Sequence, residues 1–259
     1  MTALKLCLCQ YDISWENSRV NREYLTNLLG TIQVNTTDVV VLPEMFTTGF
    51  SMNSKELAEE MNGPTVQWMH KMADQLNAAI TGSIIIREDA KYYNRLLWIE
   101  PGQVQTRCYD KKHLFTLANE QNYYQPGQQK LILDWRGCKI AFFICYDLRF
   151  PVWCRNTENA DLIIYVANFP EKREKAWNSL LPARAIENQC YVAAVNRVGK
   201  DGNDIPHRGD SAVYDFEGNK ILDLGQTMQI SFIEIDLQAL GVYKRAYPFL
   251  KDRDDFKIA

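Results

Sequence analysis

KIAFFI (139–144), broken off at Cys145-Tyr146-Asp147-Leu148-Arg149, decides how this chain is read. A continuous apolar run reads as a strand covered on both faces. Its abrupt polar end lies where ligand crevices form in α/β sheets. A second such run, DLIIYVA (161–167), follows a short segment with room for one helix. A third, DVVVL (38–42), is halted by Pro43, because proline cannot continue a central strand.

Outward from these runs, KLCLCQ (5–10) alternates as a strand does, and 79–86, 95–100, 191–196, 211–216, 220–224 and 229–235 also read as strands. Pro101-Gly102 marks a turn, and Glu217-Gly218-Asn219 a hairpin. Val20, Tyr24 and Leu28 recur at helical spacing within 17–29. A helix opening at Gly63-Pro64 buries Val66, Met69, Ala73 and Leu76, with Pro64 suited to its first position. Residues 177–188 read as helix, with Pro182 expected to kink it or begin it afresh. Ten or more strands and about four helices make a mixed α/β chain. Two sheets face to face, with helices outside, hold that many strands without one oversized sheet. Repeats, low-complexity tracts and linkers are absent from the 259 residues, which predicts one domain over 1–259, with 240–259 as a charged tail.

Composition narrows the function. Apolar residues make up 46% and charged residues 24%, as expected for a folded globular chain, and the net charge of −3 gives no basic footprint for nucleic acid. Basic residues such as Lys172, Arg173 and Lys175 alternate with glutamates and read as a solvated face. No signal peptide is evident at Met1 to Gln10, and no apolar run approaches the ~20 residues of a membrane span, so a cytoplasmic protein without membrane partner is expected. Seven cysteines, irregularly spaced and without a CxxC pair, fit that compartment and offer no zinc site. GxSxG, GxGxxG and GxxxxGK[ST] motifs are missing too, which disfavours serine-hydrolase, dinucleotide and P-loop chemistry.

Three strand ends carry the chemical candidates. Cys145 in FFICYDLRFP sits where a strand-to-helix turn exposes a nucleophile beside backbone N–H groups. Glu44 in VVVLPEMF is a partly desolvated carboxylate suited to general-base work. Lys111 and Lys112 in YDKKHLF are adjacent, so one of them can face a site and hold a thiolate or an oxyanion. His113, beside them, is the base that a Cys-His acyl-transfer enzyme would use.

Together, LPEMF, YDKKHLF and ICYDLRFP resemble the Glu, Lys and Cys signature of the nitrilase (carbon–nitrogen hydrolase) superfamily. The likeness extends through Asn168-Phe169-Pro170, ARAIENQCYVAAVNRVG (183–199) and GDSAVYDFEG. This resemblance implies a four-layer αββα sandwich, a homodimer with 240–259 at the subunit interface, and no metal or organic cofactor. It selects Lys111 over Lys112, matches Glu120 to a second glutamate, and assigns substrate contacts to Tyr146, Asn168 and Phe169. CYDLRFPVW and AYPFLKDRDDF look most like the omega-amidase branch, which hydrolyses 2-oxoglutaramate and related small amides through a cysteine thioester. There Arg149 would fork onto the distal carboxylate; a salt bridge to Asp147 or Glu187 is the structural alternative. The alternative substrate class is that of N-carbamoyl amidases.

Overall fold

The computed structural model describes residues 2–257. In chain order it forms strands β1 (Ala3–Gln10), β2 (Val39–Val41), β3 (Ala79–Glu88), β4 (Lys91–Ile99), β5 (Arg107–Asp110), β6 (Ile132–Trp135), β7 (Cys138–Ile144), β8 (Leu162–Val166), β9 (Tyr191–Val195), β10 (Val198–Lys200), β11 (Pro206–Arg208), β12 (Ala212–Tyr214), β13 (Lys220–Asp223) and β14 (Gln229–Asp236). The α-helices are α1 (Ser18–Leu29), the single turn α2 (Ser54–Leu57), α3 (Pro64–Leu76), α4 (Glu174–Asn188) and α5 (Leu237–Ala246).

Two six-stranded mixed sheets run in the orders β14-β1-β2-β3-β4-β5 and β13-β12-β9-β8-β7-β6, with β10 and β11 as a separate ribbon. Their centres are parallel: β1 with β2, β2 with β3, β7 with β8 and β8 with β9. Side-chain alternation along β1 and β2 explains the layering. Leu4, Leu6, Leu8, Val39 and Val41 pack against Ile140, Phe142 and Ile144 of the second sheet. Cys7, Cys9 and Val40 face the other way, onto Leu25 and Leu29 of α1 and Val66, Met69 and Met72 of α3. Trp98 joins the sheets, its ring 5.3 Å from Phe142 and 5.9 Å from Trp135. On the far side Trp177, Leu181 and Ala185 of α4 and Leu240 of α5 cover the second sheet. The order is helix, sheet, sheet, helix, as the resemblance implies.

Expected elements and observed ones differ in the helix around Pro182, in the strand before Lys111 and in the short strands β6, β10 and β11, which the sequence does not announce. Pro182 neither restarts nor ends its helix: α4 runs unbroken from Glu174 to Asn188 around it. Trp177 and Leu181 on its buried face hold the helix in place, and the carbonyl of Asn178 forgoes its N–H partner. The strand before Lys111 is only Arg107–Asp110 and is no apolar run. Residue 240 lies within α5, and described residues after it are anchored to the body of the chain. Lys244 pairs with Asp161 at 2.8 Å, and Arg253 donates to the carbonyls of Asn156 and Thr157. The hairpin at Glu217-Gly218-Asn219 stands where expected, between β12 and β13.

A proline at a helix interior costs about 3 kcal/mol, offset in part by the entropy it removes from the unfolded chain. Pro182→Ala is therefore expected to stabilise the fold by roughly 1–2 kcal/mol, read as a higher urea midpoint at unchanged slope. A lower midpoint would mean that contacts of the pyrrolidine ring outweigh the missing backbone bond.

Candidate active site

The C-terminal ends of the central strands meet at the seam between the sheets. β2 leads through Pro43 to Glu44, β7 to Cys145, and β8 to Asn168. Glu44 has no exposure to solvent, and Lys111 and Glu120 are buried to within 1%. Glu44 Oε1 accepts from Lys111 Nζ at 2.9 Å and from Asn94 Nδ2 at 2.7 Å. Its Oε2 accepts from the Asn168 backbone N–H at 2.8 Å, and the Asn168 side-chain amide donates to the Glu44 carbonyl. One carboxylate thus ties the first sheet to the second.

Lys111 Nζ also donates to Glu120 Oε1 and Oε2, at 3.1 and 3.0 Å. An ammonium has three N–H donors, and Glu44 Oε1 and the two Glu120 oxygens offer an acceptor to each. Burial works against the Lys111 charge, but Glu120 and Glu44 outweigh it and hold its pKa above the ordinary range. The carboxyl of Glu120 is shifted up, by burial first and in spite of Lys111. Its Oε2 accepts from the Phe115 N–H at 2.5 Å, which fixes the loop that carries it.

Cys145 opens a 3₁₀ turn, Cys145–Arg149, with φ of +45°. Non-glycine residues seldom adopt that region, and the strained turn holds the thiol out from the strand end. Burial raises the thiol pKa, and the nearby charge of Glu44 adds to it, against the pull of Lys111; the thiol itself points to the Asn168 carbonyl at 3.9 Å. The backbone N–H of Tyr146, in the first turn, has no acceptor within that turn.

Asp147 secures the turn. Its Oδ2 accepts from the Ile144 N–H at 3.0 Å and from Tyr109 OH at 2.6 Å. Its Oδ1 accepts from the His113 N–H at 2.9 Å and from His113 Nδ1 at 2.8 Å. The carboxylate therefore binds the Cys145 turn to the strand and loop that present Lys111. His113 stands apart from the cavity that Cys145 lines, although its Nδ1 is tied to a carboxylate as that of a general base would be. Its ring stacks on Phe150 with centroids 3.7 Å apart and lines a separate shallow pocket. The Cys-His reading fails on that geometry. Lys112 turns away from the cavity, to Gln128 at 3.0 Å and over the Trp153 ring.

Lys111, Cys145, Tyr146, Asn168 and Phe169 line one cavity of about 520 Å³, and Arg149 stands at its wall. The structural salt bridge considered for Arg149 is not made: Asp147 is taken by His113 and Tyr109, and Glu187 pairs with Arg184 at 2.8 Å. Three contributors were not singled out in the sequence. Asn94 holds Glu44, with its own Oδ1 accepting from Ser83 Oγ at 2.7 Å; a polar residue within the otherwise buried core of β4 was the available signal. His207 lines the cavity from the β11 ribbon, and Arg173 from the start of α4; neither carries a motif.

A family model for carbon-nitrogen hydrolases matches residues 5–245. The chain is 42% identical to omega-amidase YafV of Escherichia coli K12 over the full length of both. It is 36% identical to 2-oxoglutaramate amidase of Bacillus subtilis, over 83% of this chain and 84% of that one. Among solved structures it resembles XC1258 of Xanthomonas campestris, a CN-hydrolase superfamily protein with an arsenic adduct in its active site, with a TM-score of 0.97 and 43% identity over all of both chains.

Two outcomes follow from this geometry. Asp147→Asn sets an amide against four donors and is expected to destabilise the fold by about 2–4 kcal/mol in urea unfolding; no loss would mean that water replaces the carboxylate. The buried His207 imidazole is pushed down from 6.5 to about 4, by burial first and then by the Arg197 cation. The unfolded chain takes up that proton first, so the contribution is complete above pH 6.5 and is lost as pH falls towards 4. Unfolding free energy is expected to drop by up to about 3 kcal/mol across that window from this group, and His207→Gln to flatten the profile. A parallel profile in the variant would assign the drop to other groups.

Proposed function

The chain belongs to the carbon–nitrogen hydrolase family, in its omega-amidase branch, and from that premise we propose that it hydrolyses the omega-amide of a small dicarboxylate, of the 2-oxoglutaramate or 2-oxosuccinamate type, to the acid and ammonia. That it is a hydrolase of linear amides follows from its relatives; the substrate and the chemical steps are the reading developed here. What carries it is the meeting of a carboxylate, an ammonium and a thiol at one cavity floor, with the Arg149 guanidinium at the cavity wall.

Glu44 takes the Cys145 proton, and the thiolate attacks the amide carbon. Charge gathers on the carbonyl oxygen, where the positive charge of Lys111 stabilises it and the N–H of Tyr146 donates to it; preorganised groups of this kind supply a large share of catalysis in acyl transfer. Glu44 returns the proton to nitrogen, the C–N bond breaks, ammonia leaves, and the acyl group remains as a thioester on Cys145. Water then gives its proton to Glu44, and its oxygen attacks the thioester carbon. The carbon–sulfur bond breaks, the acid departs, and the thiol regains its proton. Glu120 acts through Lys111: with Glu44 it holds the ammonium in place, so that Lys111 serves as a fixed cation and not as a proton donor. Asn168 sets the orientation of Glu44, and Phe169 shapes the wall.

The protein acts in the cytoplasm as a homodimer, with residues 240–259 contributing to the subunit interface. The free state of all seven cysteines agrees with that compartment, and no helix among the described residues is long and apolar enough to cross a membrane.

Ammonia release compared across 2-oxoglutaramate, glutaramate, N-carbamoyl-β-alanine and a simple nitrile tests the reading. Preference for 2-oxoglutaramate is expected; preference for the carbamoyl compound or the nitrile would overturn it. Glu44→Gln is expected to lower kcat by roughly 10²- to 10⁴-fold, and Cys145→Ala to abolish turnover. In rapid quenching, mass spectrometry should find the acyl group on the peptide that contains Cys145.

A further inference from the structure

Ten arginines among the described residues are buried or half-buried, and nine of them donate to a carboxylate or a carbonyl. Arg22 meets Glu59, Arg95 meets Asp110, Arg107 meets Glu100, Arg136 meets Asp38, Arg184 meets Glu187, Arg197 meets Asp12 and Arg208 meets Glu174. Arg155 and Arg253 donate to main-chain carbonyls. Arg173 is the exception. Its guanidinium lies 4.6 Å from the centre of the Phe115 ring, which offers no oxygen, and it lines the same cavity as Cys145. Arg149 lines that cavity too, 6.0 Å from the Phe169 ring centre, and is likewise without an acid partner among the described residues.

Arg149 is exposed and solvated, but Arg173 is half-buried, and a half-buried guanidinium without an anion, beside a second cation on the same cavity, is a costly arrangement. The Arg173 pKa is lowered by burial, and Arg149 lowers it further while the Cys145 thiol opposes. An anion between them would relieve both penalties. The carboxylates nearest at hand are engaged elsewhere. Glu16 accepts from Ser51 at 2.5 Å, Asp201 from two backbone N–H groups, and Glu174 from Arg208.

We propose that Arg173 is a second anion-binding residue of the cavity, and that with Arg149 it grips the carboxylate end of the substrate while the amide end lies on Cys145. This rests on the dicarboxylate-monoamide reading above. A 2-oxo acid presents three neighbouring acceptor oxygens, two on the carboxylate and one on the ketone, which two forked donors can share. The same pair of cations repels an α-ammonium, so glutamine is the matched substrate they reject.

Two measurements on Arg173→Gln test this. In the first, the kcat/KM ratio of 2-oxoglutaramate to an uncharged aliphatic amide is compared with that of the parent protein. A fall of at least tenfold in the ratio is expected, carried mainly by KM, with partial recovery in Arg173→Lys. In the second, 2-oxoglutarate protects Cys145 from iodoacetamide; the half-protecting concentration should rise at least tenfold in Arg173→Gln. Equal losses on both amides would mean that Arg173 merely supports the start of α4, and unchanged protection would overturn the proposal. The protection assay needs no turnover. If the parent released no ammonia from 2-oxoglutaramate, the substrate reading would fall, while a shift in protection would still establish the anion site.

Discussion

A single carboxylate with no access to water, Glu44, stands where the two sheets meet. Buried ionised groups are tolerated only when their lone pairs have partners, and here Lys111, Asn94 and the Asn168 N–H supply them, with the Cys145 thiol close by. Each partner arrives on a different stretch of chain. The requirement to satisfy one charge therefore brings the end of β2, the end of β7, the end of β8 and the loop after β5 to a common point. Packing of Leu6, Leu8, Ile140 and Phe142 brings the sheets together; the polar network at the seam selects one registration among those that apolar packing alone would allow.

Around that point the charges are arranged in series. Glu120 and Glu44 hold Lys111 as a cation, and Lys111 in turn leans on the thiol. Asp147 lies behind, tying the Cys145 turn to the Lys111 loop through four hydrogen bonds. The strained φ at Cys145 persists because these neighbours over-determine it. The same network holds the histidine close in sequence to Lys111 against Phe150, in a pocket other than the one that Cys145 lines.

Much of this was legible in the residues themselves. Runs such as KIAFFI and DLIIYVA are too long and apolar to be anything but covered strands, and both are. Glu44, Lys111 and Cys145 lie in segments that carry a shared signature, Glu120 is matched to it only through the family resemblance, and the structure brings all four together. Less could be read where the signal is spread through space. β6, β10 and β11 are short and half-buried, so no apolar run marks them. Pro182 obeys its helix because Trp177 and Leu181 anchor the same turn from inside the core, a tertiary effect that local propensity cannot express. Arg173 looked like part of a solvated charged face; only the absence of an acid beside it, a property of the fold, sets it apart.

The pairing of β1 with β14 has an implication for how the molecule comes into being. Ala3 lies opposite Asp236 and Gln10 opposite Gln229, so β1 finds its edge partner towards the far end of the described residues. Until that pairing forms, one flank of the first sheet stands bare, and contacts of such high sequence separation are slow to form because the loop between them must close first.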